Sequence, residues 1–249
     1  MRKHLLAAAA LVALFGGSAM AADLSAPVYK APPAPAPVWS WTGFYIGGQV
    51  GATWGTAEAS LNANNNLLPG LSGPLAQTEA NGFLAGGLIG LNWQFASWGL
   101  IGIEGDFNWT NLKGSSPCLI IGGCHVSHDW IATATGRFGV IYDRALLYVK
   151  GGAAWTKPSY SVDFSGVGAV ATSSSSGDTR VGWVFGTGIE YAFTPSWSAK
   201  IEYNYIDFGH KDVGFDAGGG ATFSASVHEK VHLVKAGLNY KFNWGGSSY

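Results

Sequence analysis

The carboxylates Glu104 and Asp106 stand two residues apart in "IGIEGDF", a spacing that puts both on one face of an extended strand. Paired acids so placed could serve general acid–base chemistry or lock into ion pairs with basic partners. Basic partners exist at matching phase: Arg137, Lys150, Lys200, Lys235 and Lys241, with further acids at Glu190 and Glu202 and with Arg180 near a loop end. Interior carboxylates beside Lys and Arg are more often structural ion pairs, so the pattern favours an ion network over a catalytic centre. Cys118 and Cys124 bracket "LIIGG" and most simply close a local disulfide. His125 and His128 lie close by and leave metal or haem-like ligation as the alternative, although a metal site would want more ligands here. His228 and His232, four apart in an extended stretch, are about 13 Å from each other and cannot chelate one ion as a helical pair could. They read as surface residues.

The elements that must carry these groups alternate with period two. In 43–54, Phe44, Ile46, Val50, Ala52 and Trp54 share one face while Tyr45, Gly47, Gln49, Gly51 and Thr53 share the other. In 100–110, Ile101, Ile103, Phe107 and Trp109 oppose Gly102, Glu104, Asp106 and Asn108. Stretches opening near Trp130, Leu147, Trp183, Trp197 and Val234 repeat the pattern, and 81–95 does so less cleanly, because Leu84 and Leu88 share the face of Asn92 and Gln94. Eight strands are therefore predicted. Short links at 96–99, 143–145 and 194–196 close three hairpins, whereas connections of about 20 residues separate the strands elsewhere, at 55–80, 112–128, 157–178 and 209–230. Strands of about 11 to 15 residues exceed the globular mode of about 5 to 6 and suit a tilted crossing of a hydrocarbon layer, which takes about 9 to 11. The fold class expected is all-β, an eight-stranded antiparallel up-and-down transmembrane β-barrel.

Composition agrees. Of 249 residues, 37 are Gly, 11 are Trp and 47% are hydrophobic, yet only 12% are charged, against about 25% in soluble domains. A formal net charge of -1 speaks against a nucleic-acid partner, which needs clustered Lys and Arg. Residues 1–21 carry Arg2 and Lys3, an apolar run from Leu5 to Phe15 too short to span a bilayer as a helix, and the small-x-small site Ala19-Met20-Ala21: a secretory signal peptide. Its removal leaves 12 basic side chains against 15 acidic ones. Five of the ten prolines then fall in 24–38, an extended spacer. The expected organisation is a signal peptide (1–21), a proline-rich periplasmic spacer (22–42), the barrel (43–242) and a C-terminal extension (243–249).

Aromatic residues cap the apolar face at both ends. Trp54, Phe83, Trp109, Trp130, Trp155 and Trp183 adjoin the long connections, and Trp93, Phe95, Tyr142, Phe193, Trp197, Tyr240 and Phe242 adjoin short turns or the chain end. Two such belts match the girdles of a membrane barrel, with the apolar face toward lipid; a soluble sandwich core is the competing reading. The charged face then lines an interior only just wide enough for side chains, where charges must pair to offset desolvation. A salt-bridge plug is expected, and a continuous channel is its competitor.

Taken together, "AADLSAP", "WTGFYIGGQVG", "GLIGLNWQF", "IGIEGDF", "TGRFGVIYDRALLYVKGGAAW", "GIEYAFTPSWSAKIEYNYIDFG" and "KAGLNYKF" resemble the small alphaproteobacterial outer-membrane proteins, a surface-antigen, porin-like family with an OmpA-type barrel. The likeness covers the whole mature chain. It implies an abundant envelope protein with roles in surface integrity and host contact; some members are proposed to bind haem or act as adhesins, and no motif here carries that over. Members usually end on the last strand's aromatic, read by the barrel-insertion machinery, whereas here Phe242 is followed by "NWGGSSY", so Phe242 or Tyr249 would take that part. No peptidoglycan-binding domain is expected after the barrel. The His125-Val126-Ser127 triplet resembles the His-x-Ser of an outer-membrane lipid A deacylase but lies in a loop by this reading, and no nucleophile and base meet at a lipid-facing strand end. The expected function is a non-enzymatic outer-membrane barrel without cofactor, in contact with lipid and lipopolysaccharide, its loops open to surface ligands. A narrow pore or small-ligand receptor is the alternative.

Overall fold

The computed structural model describes residues 39–61, 73–118, 122–163, 172–176, 179–216 and 222–242. The signal peptide, most of the spacer and the residues after Phe242 lie outside them. Nine strand segments form: β1 (Gly43–Leu61), β2 (Gly73–Gln94), β3 (Gly99–Cys118), β4 (Gly122–Tyr142), β5 (Ala145–Asp163), β6 (Thr172–Ser176), β7 (Arg180–Ala192), β8 (Trp197–Asp216) and β9 (Thr222–Lys241). Apart from β6 and β7, chain neighbours pair antiparallel, and β1 pairs with β9, which closes the sheet on itself. β6 and β7 form a single stave, since β5 pairs with β7 from Ala145 to Thr156 and with β6 from Ser159 to Asp163. The result is an eight-staved all-β barrel closed on itself, and closure is what lets a sheet sit in lipid with its backbone groups paired.

The strands are longer than expected. β2 runs 22 residues and β4 runs 21, and much of what the sequence marks as long connection is paired strand: β1 continues to Leu61, β2 begins at Gly73, β3 reaches Cys118 and β8 reaches Asp216. The period-two signal stops at the aromatic belt because it reports lipid on one side. The hydrogen-bond ladder has no such requirement, and a polar ribbon in water still satisfies its backbone groups by pairing. Register shifts at Trp109/Leu112, His128/Ile131 and Asp207/His210 sit just beyond the outward tryptophans, where bulges add twist as the barrel passes into ribbons.

At the other end the connections are tight. Asp143 takes the left-handed conformation (φ 52°) in the two-residue link between β4 and β5, a conformation Asp tolerates better than most residues. Between β7 and β8, Thr194 Oγ1 accepts hydrogen bonds from the backbone N–H groups of Ser196 and Trp197, at 3.3 and 2.9 Å.

Alternation sends the aliphatic and aromatic face outward, with Val50, Ile103 and Leu147 all exposed, and sends the mixed face inward. Inward glycines make room for long neighbours: a Cβ at Gly51 would sit 2.2 Å from the Val234 carbonyl oxygen, and one at Gly186 2.0 Å from Asn204 Oδ1. The interior is filled in layers. Nearer the ribbons lies an apolar layer that includes Leu84, Leu112, Ile131, Val184, Ile206 and Leu233. Next come the charged residues. At the short-turn end Leu100, Leu146, Tyr148 and Ala192 cluster with Trp41.

Candidate functional site

The charged layer draws one or two side chains from each of six strands: Glu104 and Asp106 on β3, Arg137 on β4, Lys150 on β5, Glu190 on β7, Lys200 and Glu202 on β8, and Lys235 on β9. All eight are buried. Strand phase alone puts them on the inner face, and the closed ring brings them together.

Glu104 is the hub. Its Oε1 accepts from Lys150 Nζ at 2.9 Å and from Lys200 Nζ at 3.1 Å, while its Oε2 accepts from the Tyr45 hydroxyl at 2.9 Å. Arg137 Nη1 stands 3.6 Å from Glu104 and 3.2 Å from Glu190. Glu202 meets Lys150 at 2.7 Å, Lys235 at 3.0 Å and Lys200 at 3.2 Å, and takes the Tyr148 hydroxyl at 2.8 Å. Lys235 also reaches Asp106 at 3.3 Å, and Thr133 donates to the same Asp106 oxygen at 2.6 Å. Ser198 and Asn239 donate to Glu190 Oε1 at 2.5 and 2.8 Å. The Arg137 guanidinium lies between two rings, 4.8 Å from the centroid of Tyr45 and 5.2 Å from that of Tyr148.

Four carboxylates thus face four cations, and each carboxylate bonds to more than one donor. Charge taken out of water is held only by such matching. Each carboxylate oxygen of Glu104 and Asp106 accepts a hydrogen bond from a neighbouring side chain.

Two residues predicted for this network lie apart from it. Arg180 sits toward the ribbons, beyond the apolar layer, where it bonds to Glu229 at 3.0 Å and to the Val227 carbonyl at 3.0 Å. Glu229 in turn meets His128 Nε2 at 2.5 Å, and His128 Nδ1 contacts Thr156 Oγ1 at 3.1 Å. Position along the strand explains the separation: Arg180 opens β7, ten residues from Glu190. Lys241 stands at the short-turn mouth instead, its ammonium 4.1 Å from the centroid of the Trp39 ring and bonded to the Ser40 carbonyl. In the sequence His128 stands out only beside the cysteines and Glu229 has no assigned role, yet Glu229 follows from stepping back two residues at a time from Lys235 through Leu233 and Val231. The tyrosines and the apolar layer follow from the same phase. Trp41 has no such signal, because it precedes the first strand.

The aromatic residues of both predicted belts lie on the outer wall. Trp54, Phe83, Trp109 and Trp183 are exposed toward the ribbons, and Trp93, Phe95, Tyr142, Phe193 and Trp197 toward the short turns, with Trp130, Trp155, Tyr240 and Phe242 half-buried among neighbours. Trp98 in the β2–β3 turn joins the second set.

His125 and Ser127 stand on the face of β4 opposite His128, so the two histidines near the cysteines do not converge. The cysteine side chains lie outside the described residues; their backbones end β3 and open β4. His228 contacts Asp207 at 3.1 Å and His232 stacks on Trp54, both on the outer wall. Among the described residues no group of three His, Cys, Asp or Glu side chains is arranged to hold a metal ion.

Residues 7–242 match the family described as outer membrane protein beta-barrel domain. The chain is 34% identical over 245 residues to the 31 kDa outer-membrane immunogenic protein of Brucella melitensis biotype 1, covering 94% of this chain and 98% of that one. It is 29% identical over 209 residues to the 22 kDa outer membrane protein of Rhizobium leguminosarum bv. viciae, covering 83% and 80%. Among solved structures, the outer membrane protease OmpT of Escherichia coli superposes with a TM-score of 0.51 at 11% identity, over 80% of this chain and 97% of that one. At that identity the likeness is one of fold alone.

Proposed function

The chain belongs to the outer-membrane protein β-barrel family, and from that membership we propose that it is a closed, surface-exposed structural barrel that neither conducts solutes nor turns over a substrate. The observation that carries this reading is the interior itself: a charge-matched layer of four acids and four bases, with an apolar layer on its ribbon side. An ion entering such a lumen would have to displace bonded charges and then cross a dry aliphatic layer.

The outer wall fits lipid. Its apolar band carries aromatic rings at both ends, where headgroups of phospholipid and lipopolysaccharide would meet them. In barrels of this type the short turns face the periplasm and the longer connections the exterior. The ribbons formed by β1–β2, β3–β4 and β8–β9 would then stand above the membrane and carry whatever surface contacts the protein makes. A relative named an immunogenic outer-membrane protein supports such exposure. Phe242, packed against Phe44 and Tyr240 with ring centroids 5.5 and 5.0 Å away, is the aromatic that the insertion machinery would read.

Planar-bilayer recording tests the closed lumen: a flat baseline is expected, and a stable unitary conductance would overturn it. Labelling intact cells with a membrane-impermeant amine reagent tests the exposed ribbons. Lys113 on β3 should react and the buried Lys200 should not.

A further inference from the structure

Trp41 is 2% exposed although it belongs to no strand. It precedes β1, enters the short-turn mouth of the barrel and packs against Leu100, Leu146 and Ala192, inward side chains that open β3, open β5 and end β7. These residues form an apolar ring at the mouth, which would face water if nothing lay over it. The segment is pinned at several points. The Trp41 N–H donates to Gln94 Oε1 at 2.9 Å, and the Gln94 N–H donates back to Thr42 Oγ1 at 3.0 Å. Trp39 meets Trp41 edge to face with centroids 5.6 Å apart, and Lys241 covers the Trp39 ring and bonds to the Ser40 carbonyl. Behind the two indoles a cavity with room for about one water reaches Ser198 and Glu190, the edge of the charged layer.

We propose that Trp39–Thr42 is a tethered stopper that seals the periplasmic mouth and keeps the charged layer dry from that side. The inference rests on the closed-lumen reading and adds a second seal to it, independent of the apolar layer on the ribbon side. The held part is a short non-strand segment on the end of the proline-rich stretch, so the seal can leave without breaking any rung of the barrel. Its release would let water reach Glu190 and Arg137 while the far seal still blocks passage.

The test places a Cys at Ser198, a buried site behind the stopper whose hydroxyl bonds to Glu190. The full chain, folded in lipid vesicles and checked by heat-modifiable migration, is treated with a small sulfonated methanethiosulfonate, and modification of the peptide carrying position 198 is followed by mass spectrometry. Ser198→Cys alone should react slowly. Adding Trp41→Ala should raise the rate about tenfold or more, the loss of most of one buried aromatic's closing energy, and adding Trp41→Phe should leave it close to the parent. Lys241→Gln, which frees Trp39 and Ser40 but leaves Trp41 in place, should give an intermediate rate. Fast reaction in the parent, or a rate unchanged by Trp41→Ala in correctly folded protein, would overturn the stopper. Bilayer recording separates the two readings: the Trp41→Ala barrel should stay non-conducting, and conductance in the parent would instead sink the closed lumen.

Discussion

Lys200 Nζ lies 3.1 Å from Glu104 Oε1, a contact between β8 and β3 across 96 residues of chain. These two strands do not pair; in the ring of eight staves they stand opposite each other. A lysine on one wall can reach a glutamate on the other only because the interior is as narrow as eight strands make it. The ion network is therefore a cross-brace as well as a filling. Each wall supplies part of a charge balance that the other completes.

Removing one member of that balance should cost far more than a surface pair would. Glu104→Gln keeps the shape but leaves Lys150 and Lys200 without a carboxylate that each now touches. A broken buried pair typically costs about 3 to 5 kcal/mol, and the variant should unfold at correspondingly lower urea in lipid vesicles. A loss below about 1 kcal/mol would mean that water already enters the layer.

Two glycines should answer oppositely to the same substitution. A methyl at Gly51 would meet the Val234 carbonyl oxygen at 2.2 Å, and backbone cannot swing aside as a side chain can, so Gly51→Ala should destabilise by about 1 to 3 kcal/mol. At Gly136, on the outer wall, a Cβ meets nothing within 4 Å. Gly136→Ala should be neutral, or stabilising by about 0.5 kcal/mol through the unfolded chain. Parallel unfolding curves for the two variants check the contrast.

The depth of the lipid band can be read by walking an arginine along one face. Ile103, 64% exposed on the outer wall of β3, lies inside the apolar band, and Ile103→Arg should cost about 2 to 4 kcal/mol. Gln77 is exposed on the β2 ribbon beyond Phe83, and Gln77→Arg there should change stability by no more than about 0.5 kcal/mol. Equal effects at both positions would place the band elsewhere on the wall.

How much of this was legible in the sequence follows from what period two can report. It gives the face of every residue in a strand, so Glu104, Asp106, Lys200 and Lys235 could be placed inside the barrel from their phase. It gives no height, and the strand contact between Lys200 and Glu104 depends on registers that only the closed barrel fixes. Arg180 shares the phase of Glu190 but not its level, and so joins Glu229 and His128 instead. The ribbon ends of the strands lack an apolar face, so period two alone does not distinguish them from loops. Trp41 lacked any period at all, since its place is set by the ring of Leu100, Leu146 and Ala192 that it covers.

The separation of Arg180 from the central network has an energetic consequence. Glu229 bonds to Arg180 and His128, whereas Glu104 bonds to Lys150, Lys200 and Tyr45. Between the two clusters lie Leu84, Ile131, Val184 and Ile206, aliphatic side chains that have no charge or hydrogen bond to relay a change. Glu229→Gln should therefore destabilise the barrel on its own, and the double variant Glu104→Gln, Glu229→Gln should lose the sum of the two single losses to within about 0.5 kcal/mol. Within the central network the expectation reverses. Glu104→Gln and Glu202→Gln both remove partners of Lys150 and Lys200, so the second substitution acts on cations already left short. That pair should depart from additivity by about 1 kcal/mol or more. A double-mutant cycle for each pair, measured by urea unfolding in the same vesicles, decides between one continuous polar lumen and two clusters kept apart by an apolar layer: strong coupling between Glu104 and Glu229 would require the first.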